Sequence, residues 1–165
     1  MRLAEPVTAL TDYALAVASV CFAISQGRIV GPRNQVSAWF WCAAFIASAV
    51  AATAGGTYHG FVTSLEPRTL QSLWNLSVFA MGACGAFVTA GIHSAYIMRK
   101  DGTVKWLVYG IVATLAGVAV QQGVMLRSST FNRDATYHLI QIVGLYCLFR
   151  CAKTVRDRPI VTADL

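Results

Sequence analysis

The chain has 165 residues, room for one domain. Hydrophobic residues make up 56% and charged residues only 12%, against roughly a quarter charged in soluble globular proteins. This excludes an ordinary soluble domain and predicts an integral membrane protein. The net charge of +6 would suggest nucleic acid in a soluble domain. Here the basic residues sit in short connections between apolar runs, where they read as topology signals, so no nucleic-acid partner is expected.

Five apolar segments follow one another, each near or above the ~20 residues needed to cross a hydrocarbon core. They predict an all-α fold: a polytopic transmembrane bundle of five spanning helices, one domain over 1–165. The first helix runs from about 7 to 26, behind Pro6, which suits a first helical turn; Thr8, Asp12, Ala16, Ser19, Ala23 and Gln26 share one face. The second covers 36–61 and carries the row Ala43, Ala47, Ala51, Gly55 and His59 at i+4 spacing. Small residues in a row let membrane helices approach closely, which turns His59 inward. The third, about 70–98, places Asn75, Gly82 and Ala86 on one face. The fourth, 106–126, carries the row Ala113, Gly117 and Gln121. The fifth, 134–152, is the shortest, with Asp134, His138 and Gln141 at i, i+4 and i+7. Connections of 27–35, 62–69, 99–105 and 127–133 hold no further domain. Trp39, Trp41, Trp74, Trp106 and Tyr109 lie near helix ends and read as aromatic belts. Five cysteines without a CxxC motif read as small buried hydrophobes. With no basic n-region before the first apolar run, no removable signal peptide is expected.

Alternating the helices puts Arg28, Arg33, Arg99, Lys100, Lys105, Arg150, Lys153, Arg156 and Arg158 on one side, and only Arg2, Arg68, Arg127 and Arg133 on the other. By the positive-inside rule the richer side is cytoplasmic, with the N-terminus outside and the C-terminus in the cytoplasm. The expected location is a bacterial inner membrane. The same alternation gathers polarity in the outer leaflet: Glu5, Thr8 and Asp12; His59; Asn75; Gln121 and Gln122; Asp134 and His138. Ionisable groups at that depth point to a functional site. Plainer readings stand beside them: His59 as an interfacial residue next to Tyr58, Asp134 as a helix N-cap, Glu5 in water near the terminus. Asp12 is harder to dismiss, since a charge inside a span costs about 2 to 3 kcal/mol on insertion scales.

Gly55-Gly-Thr-Tyr-His59 and Asp134-Ala-Thr-Tyr-His138 together resemble motifs of the CREST superfamily of membrane hydrolases, whose best-known members are the alkaline ceramidases. That family places one histidine at the end of its second helix and an HxxxH pair in its last, and the three hold zinc. The resemblance implies His59, Asp134 and His138 as metal ligands, Asp134 standing where the first histidine of the pair would be. The family has seven helices against five here, its third-helix aspartate has no match, and its serine falls at Gly55. A closer likeness is to small bacterial multi-pass membrane proteins with similar Gly-Gly-Thr-Tyr-His and Tyr-His-Leu-Ile-Gln stretches; it implies no activity.

Three functions follow. The first is a zinc-dependent hydrolase of a lipid amide or ester. Two imidazoles and a carboxylate would leave a fourth position for water, whose pKa falls from ~15.7 to about 7 on the metal. Asp12 or Glu5 would act as general base, and Asn75 or Gln121 would orient ligands or polarise a carbonyl. The second is a haem b protein with His59 and His138 as axial ligands. The third is a non-catalytic assembly or ligand-binding subunit. Membrane lipid, and a homo- or hetero-oligomer within the membrane, are the expected partners.

Overall fold

The computed structural model describes residues 3–33, 35–96, 102–122 and 133–157. Arg2, Arg99, Lys100, Arg127 and Arg158 from the charge comparison, and the ends expected at 97–98 and 123–126, lie outside them. Five helices account for nearly all of the described chain: α1 (Pro6–Arg33), α2 (Val36–Phe61), α3 (Pro67–Ser94), α4 (Thr103–Gln121) and α5 (Arg133–Thr154). Two short strands, β1 (Ala95–Tyr96) and β2 (Arg156–Asp157), follow α3 and α5. The all-α expectation holds, and α2 matches its expected limits.

The third helix ends at Ser94 and gives way to β1 instead of continuing to about 98, the fourth begins at Thr103 rather than Trp106, and two further boundaries differ for identifiable reasons. The first helix does not stop at Gln26 but continues through Gly27 and Arg28, because Gln26 is fully buried and Gly27 lies against Cys42. The third begins at Pro67 rather than near Leu70, since proline is suited to the first helical position, where no N–H is needed.

Among the described residues, four helical stretches are long and apolar enough to cross a membrane: Pro6–Val30, Val36–Phe61, Pro67–Ser94 and Thr103–Gln121. The expected fifth is not among them. His138, Gln141 and Arg150 dilute the hydropathy of α5, which instead presents a buried face of Ala135, His138, Gly144, Leu145 and Cys151.

In space the helices follow the order α3, α2, α1, α5, α4, each packed along the next. The two flanking helices, α3 and α4, share at most a marginal contact, which leaves a cleft between them. Small residues set the close approaches. At Gly110 an added Cβ would stand 2.7 Å from Leu148 and 3.3 Å from the Gly144 carbonyl, so α4 and α5 meet nearly backbone to backbone.

One end of the bundle is tightly fastened. Phe22 stacks on Phe149 with ring centroids 4.8 Å apart, and Phe45 meets both edge-on. Trp41, expected in an aromatic belt, is fully buried against Gly91, whereas Trp39, Trp74 and Tyr109 are exposed. Gln35 gives the N-terminus of α2 no side-chain cap. The cap comes from Asp157, whose carboxylate accepts from the N–H groups of Val36 (2.6 Å) and Ser37 (3.1 Å) and from the Ser37 hydroxyl. Asp157 also pairs with Ala95, and Arg156 with Tyr96, in the antiparallel β1–β2 ladder. A Thr103–Thr154 hydrogen bond of 2.9 Å joins α4 to α5 at this end. The strand pair and the tail cap were not expected, since two-residue strands carry no periodicity to read.

Candidate functional site

The opposite end gathers the polar residues. Asp12 sits in the second turn of α1 with 4% of its surface exposed. Gly55 and Gly56 make room for it. A Cβ on Gly56 would fall 3.0 Å from the Asp12 Cβ and 3.3 Å from the Ala9 carbonyl; one on Gly55 would lie 3.4 and 3.5 Å from the two carboxylate oxygens. Both glycines are inside α2, so the Gly-Gly pair is a seat for a carboxylate rather than a turn. The Ala row behaves as expected where it nears the site: Ala51 is buried, and its carbonyl accepts from Ser77 at 3.0 Å.

His138 on α5 reaches this carboxylate, its Nε2 lying 3.2 Å from Asp12 Oδ1. Its Nδ1 is 3.3 Å from the Thr11 hydroxyl. That hydroxyl donates its single proton to the carbonyl of Val7 (3.1 Å) or Thr8 (2.9 Å). The contact between Nε2 and Oδ1 holds a proton, on the imidazole or on the carboxylate. Asp12 Oδ2, also buried, has no hydrogen-bond partner. A bare carboxylate oxygen in this setting is costly and calls for a donor. Nearer the surface, His59 Nδ1 donates to Glu5 Oε2 at 2.9 Å, and the backbone N–H of Ala4 donates to the Gly60 carbonyl.

These groups open onto a cavity of about 830 Å³. Its apolar wall comes from both sides of the cleft: Val78, Met81, Gly82, Gly85 and Val88 of α3, and Leu107, Ile111 and Leu115 of α4. Its polar wall carries Asp12, His59, Asp134, His138, Gln121, Gln141 and Ser77. A volume of this size suits a small organic ligand or one lipid chain with its head.

Of the residues singled out from the sequence, Asp12, His59, Gln121, Asp134 and His138 share this one cavity. Glu5 is half exposed and stands at the rim through His59. Asn75 does not face the cavity; it is exposed and accepts from Gln71 at 2.8 Å, and Ser77 and Trp74 represent α3 there instead. Asp134 is in the first turn of α5, a favourable place for a carboxylate, and lines the cavity as well.

The geometry is one of pairs. Among the described residues no three His, Cys, Asp or Glu side chains are grouped to hold a metal ion. His138 uses both ring nitrogens, on Thr11 and Asp12 of α1, and His59 uses one, on Glu5 just before α1. To ligate zinc or a haem iron, His138 would have to surrender one of these bonds. Thr11 and Ser77 escaped the sequence reading, and Gln141, placed there on the face of Asp134 and His138, was given no role. Thr11 lies next to Asp12, and Gln141 follows the Asp134–His138 spacing, so the signals existed; Ser77 had no partner visible along the chain.

A model of a family of unknown function, DUF6962, matches residues 7–100 and 76–157, together nearly the whole chain. No curated protein and no solved structure matches. The chain thus belongs to the DUF6962 family.

Proposed function

We propose that the chain is a five-pass membrane protein, α5 included, whose cavity takes an amphipathic molecule from the surrounding bilayer through the cleft between α3 and α4. The N-terminus faces outward and the C-terminus the cytoplasm, as the charge distribution favours. The observation that carries the reading is the cavity itself: apolar along two loosely joined helices and ending on a buried carboxylate–imidazole pair. A head group would sit on the polar wall, with its chain along α3 and α4. The site belongs to the outer leaflet half.

The test uses a plug. Neither Gly82 nor Gly85 has anything within 4 Å of an added Cβ, and both line the cavity. Gly85→Leu should fill the space without disturbing a helix contact. Mass spectrometry of lipid retained by the purified protein should show a bound amphiphile in the wild type and its loss in Gly85→Leu. Equal retention in a folded Gly85→Leu protein would sink the pocket.

A second reading makes the same pocket a hydrolase of a lipid amide or ester, favoured by the unpartnered Oδ2 beside an imidazole. Water held at Oδ2 gives its proton to Asp12 while its oxygen bonds to the carbonyl carbon. The C–N or C–O bond then breaks, and the leaving nitrogen or oxygen takes that proton. No step passes through a metal. Release of a fluorescent acyl chain by wild type but not Asp12→Asn supports this reading. Zinc bound one-to-one and lost in His138→Ala would instead favour metal-dependent hydrolysis.

A further inference from the structure

The polar end of the cavity is acidic. Three carboxylates, Glu5, Asp12 and Asp134, stand around two imidazoles, His59 and His138, so negative charge remains even with both imidazoles protonated. No lysine or arginine lines the cavity among the described residues; Arg68 and Arg133, at the same end, are on the surface. Among the described residues, the one fully buried side-chain polar atom at this end without a partner is an acceptor, Asp12 Oδ2, on a residue more than nine-tenths buried. The neighbouring hydrogen bonds leave it no donor. Its nearest surroundings include the open space over Gly55 and the Ser77 hydroxyl, whose proton goes to the Ala51 carbonyl.

We infer that the cavity selects a single-chain amphiphile with a cationic, hydrogen-bond-donating head, a protonated primary amine, and discriminates against anionic lipids. The inference rests on the pocket proposed above and adds the chemistry of its occupant. An ammonium at Oδ2 makes a charge-assisted hydrogen bond in a dry setting, and its charge offsets the surplus of carboxylates. A phosphate or fatty-acid carboxylate would meet Asp12 and Asp134 with like charge, with no lysine or arginine on the wall among the described residues to offset it. A neutral hydroxyl could donate to Oδ2 but would leave the surplus charge in place.

The experiment compares hexadecylamine, hexadecanol and hexadecanoic acid, identical in chain, binding to the full-length protein in nonionic detergent, read by native mass spectrometry. The amine should bind about 10- to 100-fold tighter than the alcohol, the range of a charged hydrogen bond, and the acid weakest. Asp12→Asn should bring amine and alcohol to within about threefold of each other. If Asp12→Asn does not fold, Asp134→Asn serves, with a smaller shift in the same direction. Equal binding of the three, tightest binding of the acid, or an amine preference that survives the Asp12 or Asp134 change overturns the inference while the pocket stands. If none of the three binds wild type better than Gly85→Leu, the pocket falls and the inference with it.

Discussion

The two ends of this bundle use the same five helices and much the same small residues to opposite effect. At the fastened end, aromatic rings from α1, α2 and α5 interlock, and the segment after α5 ties α2 and α3 together. At the polar end, α1, α2 and α5 converge on Asp12 and His138, while α3 and α4 stand apart over a cavity. Glycine shows the contrast best: Gly110 lets α4 and α5 touch, whereas Gly82 and Gly85 border empty space. Between membrane helices the lipid is as apolar as the interface, so association rests on close packing and hydrogen bonds. A bundle fastened at one end can therefore leave a gap at the other.

The largest effect should come from breaking the close contact that seats Asp12. Gly56→Leu would push its side chain into Asp12 and the Ala9 backbone and should separate α1 from α2, with loss of folded protein on size exclusion in detergent. Ala51→Leu, at a buried position on the wall of the site, should cost about 1 to 3 kcal/mol by overpacking, read as a lower Tm. Asp157→Ala removes the cap of α2 at the fastened end and should cost about 0.5 to 2 kcal/mol; an unchanged Tm would mean that the aromatic cluster alone secures that end. Gln26→Leu runs the other way. Both polar atoms of Gln26 are buried without partners, so an apolar replacement should raise stability, by up to about 1 kcal/mol. Smallest of all, Gly85→Leu should leave Tm unchanged; a marked loss would show that α3 and α4 close on each other.

What the sequence disclosed follows from what is local. Helix positions came from apolar runs, and the i+4 row correctly aimed His59 inward, because both are periodic along one segment. The gathering of Asp12, His59, Gln121, Asp134 and His138 also followed from alternating helices, which fixes depth. Pairing did not. Asp134 and His138 share a helix face, yet His138 reaches Asp12, 126 residues away, because helix rotation about its own axis decides which carboxylate an imidazole meets. Asn75 was misjudged for the same reason: correct depth, wrong azimuth. The tail cap on α2 depends on a contact between Val36 and Asp157, 121 residues apart, with nothing in either neighbourhood to announce it.

That separation has a consequence for biogenesis. The residue that completes the first turn of α2 is made only after 121 further residues, roughly 6 to 24 seconds later at 5–20 residues per second. Until then the leading N–H groups of α2 await their carboxylate, and α3 lacks the strand that anchors its end. The helices can form in order, but the fastened end cannot set until Asp157 has emerged from the ribosome. A chain interrupted between α5 and β2 would carry the whole lining of the cavity, without the clasp that holds the helices in register, and should be the form that quality-control proteases remove first.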